Sequence, residues 1–202
     1  MRRIIMNEHL TLDGVIQGPG GPDEDTSGGF ELGGWSAPFG DEVTGKTVMA
    51  TLEQPFDLLL GRVTYKIWEP FWPFQSGPIA DKFNSIKKYV ATQTLTETSW
   101  GNTILLNGDT LEQIKELKAT DGPDLQIWGS GNFVQTLLQN GLIDQMNIWL
   151  YPVVLGKGKR LFEGAAVPGN FKLTKNVVSD KGVIVSTYEA DGKVKLGRIA
   201  EE

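Results

Sequence analysis

The chain has 202 residues, no cysteine and one histidine. That length supports one domain with a real core, and the composition excludes disulfides and thiolate metal sites. Acidic residues outnumber basic ones 25 to 19, for a net charge of −6, so no basic stripe is available for nucleic acid, although a small basic pocket stays open. The opening MRRIIMNEHLTLDG is too poor in apolar residues for a signal-peptide core, and no run approaches membrane-span length, so a cytoplasmic protein is expected.

In chain order, Arg3–Met6 is the first predicted strand, and the lone His9 reads as a strand-end residue without a ligand set around it. Asp13 to Gly40 is rich in Gly, Pro and Asp and has no periodicity, which suits a long functional loop. Asp41 to Gln54 reads as a helix and Asp57–Leu60 as a buried strand. GRVTYKIWEPFWP follows, with Thr64 opening a helix and a burst of aromatics and prolines closing it. Pro78 to Ile86 has Ile79, Phe83 and Ile86 at helical spacing, and Pro78 suits a first turn. Tyr89–Thr92 and Thr103–Leu106 are strands. Thr110-Leu-Glu-Gln113 has the pattern of a capping box opening a helix through Lys118.

Leu125–Trp128 is another buried strand, and Gly129-Ser-Gly-Asn132 leads into a helix closed near Gly141. Gln145–Pro152 is a strand. Phe171 to Ala190 forms two strand-like runs with Asp180-Lys181-Gly182 as hairpin chemistry between them. Alternating strands and helices followed by a hairpin predict an α/β fold of three layers, α/β/α, with a mostly parallel mixed sheet and an antiparallel C-terminal hairpin. One domain over residues 1–192 is expected, with 193–202 as a tail.

Ligands of open α/β sheets sit beyond the carboxyl ends of strands, where loops feed helices. Two such junctions suit an anion. At Gly61-Arg62-Val63-Thr64, free backbone N–H groups and the Arg62 guanidinium can bind phosphate; a turn glycine and a solvated charge is the alternative. At Gly129-Ser130-Gly131-Asn132, glycines allow a close backbone approach, and a plain turn with an Asn cap is the alternative. This is no Rossmann fingerprint, since Val134 stands where the third glycine belongs and Trp149 where an acid belongs. Gly156-Lys-Gly-Lys-Arg160 is no P-loop, because no Ser or Thr follows. Thr92 and Gln93, just past a strand, are a weaker third phosphate candidate.

Ile127-Trp-Gly-Ser-Gly-Asn132, Leu137-Leu138, Gly141-Leu-Ile-Asp144 and Tyr151-Pro-Val-Val-Leu-Gly-Lys-Gly-Lys-Arg-Leu-Phe162 occur in that order. With Gly61-Arg62-Val63-Thr64-Tyr65 and Thr11-Leu-Asp-Gly-Val-Ile16, the succession resembles the dihydrofolate reductase-like superfamily. It is most similar to the branch holding the C-terminal reductase domain of bacterial riboflavin biosynthesis proteins, from residue 3 to residue 189. The resemblance implies NADPH as cofactor, with Arg62 and Thr64 on its phosphates and Thr92 with Gln93 selecting the 2′-phosphate. Gly61 belongs to the same motif, Gly129 to Asn132 would underlie the pyrophosphate, and the Gly129–Ser130 peptide would be strained or cis. Val15, Ile16 and Gly18 would border the nicotinamide. It implies reduction of a pyrimidine- or pterin-like heterocycle, as by 5-amino-6-(5-phosphoribosylamino)uracil reductase, in a homodimer. The zinc deaminase domain that usually accompanies such reductases is not expected in this sequence, which has no cysteine for its metal.

Reduction needs a proton source besides the cofactor. Folate reductases keep a carboxylate about five residues past a tryptophan; Trp35 resembles that tryptophan, yet five residues on stands Gly40, with Asp41 and Glu42 beside it. Asp41 and Asp13 are therefore the catalytic candidates, with helix-dipole and turn chemistry as their alternatives. Trp35, Phe39 and Trp72 are expected to wall a flat pocket, and Ile148–Val154 is a candidate exposed contact strand for the dimer. A flavin- or deazaflavin-linked reductase and a non-catalytic nucleotide-binding relative are the competing readings.

Overall fold

A computed structural model describes residues 1–163 and 167–199; residues 200–202 of the expected tail lie outside the described residues. Eight strands form one sheet: β1 (Ile4–Thr11), β2 (Phe56–Gly61), β3 (Lys88–Ala91), β4 (Thr103–Leu106), β5 (Asp124–Trp128), β6 (Gln145–Tyr151), β7 (Phe171–Val178) and β8 (Ile184–Ala190). Their spatial order is β4-β3-β2-β5-β1-β6-β8-β7. The pairs from β4 through β6 are parallel, β8 runs antiparallel to β6, and β7 is antiparallel to β8.

Connection handedness explains the layers. From β1 the chain moves one way along the sheet, through α1 (Glu42–Glu53), α2 (Arg62–Trp68) and α3 (Pro78–Ser85), to β3 and β4. It then returns through α4 (Thr110–Ala119) to β5 and through α5 (Gly131–Gln139) to β6. Right-handed crossovers in opposite directions place their helices on opposite faces. Leu52, Tyr65 and Phe83 accordingly share one core with Leu58, Leu60 and Trp149, while Ile114, Val134 and Leu137 share the other with Met6, Leu59 and Ile127. The reversal of direction leaves a crevice at the carboxyl ends of β2, β5 and β1.

Several local expectations shift. β1 runs on to Thr11 and buries Asn7 and Glu8 in its interior. Helix α2 starts at Arg62, with Gly61 as its N-cap, so Thr64 lies inside the first turn. Asp109 rather than Thr110 caps α4, accepting from Glu112 N at 3.0 Å, while the Thr110 hydroxyl turns to Leu106 O. An aspartate oxygen one residue earlier reaches the free amide better than the threonine does. Ile148–Val154 is not an exposed contact strand. Ile148 and Trp149 are buried between β1 and β8, and Val154 lies beyond the strand with its side chain exposed.

Candidate active site

The junctions after β2 and β5 meet because these strands are neighbours. Ser130 joins them: its hydroxyl accepts from Gly61 N at 3.1 Å and donates to Thr64 Oγ1 at 2.9 Å. The backbone there is unusual. Gly129 and Ser130 both have φ of 69°, a region that strains serine but not glycine. No peptide among the described residues is cis, so the Gly129–Ser130 bond is trans and the strain sits in the Ser130 dihedral. A Cβ at Gly131 would lie 2.5 Å from Ile16 Cδ1, so the start of α5 and the first loop approach closely.

The first amides of any helix lack intrahelical partners. No side chain caps α2 or α5. Their first turns open into a cleft of about 580 Å³ lined by Gly61 to Thr64 and Gly129 to Asn132. Arg62 forms no salt bridge or hydrogen bond with any described residue. It also borders a second groove of about 400 Å³ that reaches Thr92, Gln93 and Thr110. Free amides and an unpaired guanidinium between two cavities that share Arg62, Ala91 and Phe133 fit an extended dinucleotide bearing phosphates.

The predicted residues divide as follows. Ile16, Gly18, Gly61, Arg62, Thr64, Gly129, Ser130, Gly131, Asn132 and Trp72 line the main cleft. Thr92 and Gln93 line the second groove, where the Thr92 hydroxyl accepts from Thr94 N and Leu95 N and Gln93 donates to Gly108 O. Val15 is fully buried behind the loop. Trp35 and Phe39 do not line the cleft; both pack edge-on against Tyr151, at 5.2 and 5.9 Å between ring centroids. The walls of that half come instead from Trp68, Trp72, Phe83 and Trp128 with Val48 and Leu52.

Neither acid candidate reaches the cleft. Asp13 accepts from Thr11 Oγ1 at 2.7 Å, Gly156 N at 2.8 Å and Leu155 N at 3.2 Å, and faces Arg160 at 3.4 Å. The Thr11 hydrogen bond, aided by these amides, holds its carboxyl down at about 2, so it carries no proton to give. Asp41 caps α1, accepting from Thr44 N at 2.8 Å, and receives Lys181 N at 3.1 Å. The Thr44 amide bond likewise lowers its carboxyl well below the usual range. Both aspartates hold backbone in place.

Two residues on β1 were not expected at the site: Glu8 was not singled out by the sequence, and His9 read as a strand-end residue. Glu8 and His9 both line the cleft. Glu8 is 2% exposed, and its Oε1 has no hydrogen-bond partner among the described residues. Burial, with the charge of Glu24 second, pushes its carboxyl up to about 8. His9 stacks on Trp149 and its Nδ1 sits 2.7 Å from the Tyr151 hydroxyl. Burial lowers the imidazole to about 4, so it is neutral. The available signal was a charged residue inside an apolar run that belongs to a central strand. Around this end, Lys159 pairs with Asp25 at 2.7 Å, and Gln17 bridges the first loop to Lys159 N. Among the described residues no cluster of His, Asp or Glu could hold a metal, and no helix is long and apolar enough to cross a membrane.

The profile of the RibD C-terminal domain matches residues 2–185. The chain is 30% identical over 196 residues to the uncharacterized protein YyaP of Bacillus subtilis (strain 168), covering 95% of this chain and 96% of that one. A putative riboflavin biosynthesis protein from Shewanella sp. PV-4 superposes with a TM-score of 0.72 at 24% identity, over 94% of this chain and 99% of that one. Dihydrofolate reductase from Enterococcus faecalis, complexed with NADP(H), superposes with a TM-score of 0.58 at 13% identity, over 94% and 96%. At these identities the structural likenesses show the fold, which is dihydrofolate reductase-like.

Proposed function

Because the chain belongs to the RibD C-terminal domain family, we propose that it is an NADPH-dependent reductase of a pyrimidine- or pterin-like heterocycle. The observation that carries this reading is the corner where α2 and α5 begin: open amides, and an unpaired Arg62 standing between two cavities. In this reading Arg62 and the first turns hold the cofactor's phosphates. Gly129 to Gly131 underlie the pyrophosphate, and Ile16 with Gly18 borders the nicotinamide. Thr92 and Gln93, in the second groove, face the 2′-phosphate end.

NADPH supplies the hydride when bound. The chain itself orients a flat ring, excludes water and manages a proton. Trp68, Trp72, Phe83 and Trp128 offer ring faces and edges to a planar substrate. The buried indole N–H of Trp72 has no partner among the described residues, so it can donate to a ring carbonyl or nitrogen. A homodimer belongs to the same reading, and light scattering of the purified chain tests it.

Titration with NADPH and NADH, followed by nicotinamide fluorescence, tests the cofactor. NADPH should bind tightly and NADH weakly. Absence of binding by either would overturn the reading in favour of a flavin-type cofactor or a non-catalytic relative.

A further inference from the structure

The substrate half of the cleft has no carboxylate on α1 to supply a proton. Asp41 is committed to capping, and Glu42 pairs with Lys46 at 2.5 Å on the surface. The acid that does reach the cleft lies in the sheet. β1 runs between β5 and β6, and Asn7 pairs with Trp128. Glu8 follows directly, level with the corner at Gly129.

Its surroundings do not neutralise it. The charged or titratable groups lining the same cleft are His9 on β1, Glu24 and Asp25 on the first loop, Arg62 on α2, and Lys159 and Arg160 after β6. Lys159 is held by Asp25, and Arg160 by Asp13. Arg62 belongs to the phosphate corner. β5, α1, α3 and α5 contribute no titratable side chain to the cleft. Glu24 is itself an acid, engaged with Gly20 N at 2.6 Å. A buried carboxyl with an unpartnered oxygen and no cation keeps its proton.

We propose that Glu8 is the catalytic acid of this cleft, giving its proton to the nitrogen or oxygen of the C=N or C=O bond that is reduced, in the heterocycle or in the arm attached to it. The inference rests on the reductase reading above. Reduction of a C=N or C=O bond sends its π pair to the heteroatom, where the Glu8 O–H bond breaks and an N–H or O–H bond forms. The carboxylate left on Glu8 takes its next proton from water. The two electrons arrive with the hydride of the nicotinamide cofactor, which ends oxidised.

The first test needs no turnover. Infrared titration of protein labelled with ¹³C-glutamate should show a protonated carboxyl at neutral pH that disappears as the pH rises through about 8. The signal should be missing from Glu8→Gln, and Glu24→Gln should move its midpoint downward. Wild-type protein without that signal overturns the proposal.

The second test measures NADPH oxidation with 5-amino-6-(5-phosphoribosylamino)uracil and with 7,8-dihydropterin. For the accepted compound, Glu8→Gln should lower kcat about 100-fold or more. Its NADPH affinity, and its thermal unfolding at pH 4, should match wild type. The wild-type rate should fall at alkaline pH, and that limb should vanish in Glu8→Gln. Wild-type turnover in Glu8→Gln makes the neutral carboxyl structural and overturns the proposal while the reductase reading stands. A wild-type protein that binds no NADPH sinks the reductase reading and the acid's role with it, whatever the infrared signal shows.

Discussion

The corner where α2 and α5 begin and the long loop facing it treat polar groups in opposite ways. At the corner, donors are left open: α2 and α5 carry no side-chain cap, and Arg62 is unpaired among the described residues. In the loop, acids are tied to their own chain: Asp13 to the Leu155–Gly156 amides, Asp25 to Lys159, Glu24 to Gly20 N. Open groups are available to a ligand, while closed groups hold the frame that shapes the cleft. Asp13, Glu24 and Asp25, which look available in a Gly- and Asp-rich loop, are thus architecture, and the buried carboxyl with a partnerless oxygen among the described residues stands in a strand.

The largest effect expected from breaking this contrast comes from Glu8. Below pH 4.5, its ordinary value, the carboxyl is protonated in folded and unfolded chains alike and contributes nothing. Above it, the unfolded chain ionises freely while the native one retains its proton up to about 8, so native stability falls across that window. Glu8→Gln removes the penalty and should stabilise the protein by on the order of 3 kcal/mol at pH 7, with no gain at pH 4. Chemical denaturation at the two pH values checks it.

Next is Arg62→Ala, expected to weaken NADPH by about 1.5–3 kcal/mol, the worth of a hydrogen bond to a charged group. Unchanged affinity in the fluorescence titration would return Arg62 to a solvated surface charge.

Asp13→Asn sharpens the contrast from the other side. It should lower Tm by a few degrees and leave the pH dependence of turnover unchanged. The stability that Asp13 provides is present above its ordinary value of 3.8 and is lost as the pH falls toward about 2. The mutant's Tm should therefore converge with wild type in strong acid. Asp41→Asn should show the smallest effect, a slight Tm loss from a weakened cap with turnover kept.

The mostly parallel sheet and the closing hairpin were legible because hydrophobic runs, glycines and prolines punctuate this chain, while the order of the strands was not. The corner where α2 and α5 begin was legible as a candidate anion site because its parts are contiguous: Gly61-Arg62-Val63-Thr64 and Gly129-Ser-Gly-Asn132 each carry their chemistry in four residues. Glu8 was not, since Arg3–Met6 looked like the whole strand and Asn7-Glu8-His9 like its polar exit. Only pairing with β6 through Thr11 buries those residues. Helix-start and turn roles for Asp41 and Asp13 stood as alternatives in the sequence; what stayed hidden were their contacts with Lys181 and Gly156, more than a hundred residues away.

Ser130 carries a consequence for kinetics. One hydroxyl wires Gly61 N to Thr64 Oγ1, so the two helix starts are held in a fixed relation before any ligand arrives. An anion entering between them meets donors already aligned and has little chain ordering to offset. Association there should approach encounter control, leaving affinity to be set by how long the ligand stays.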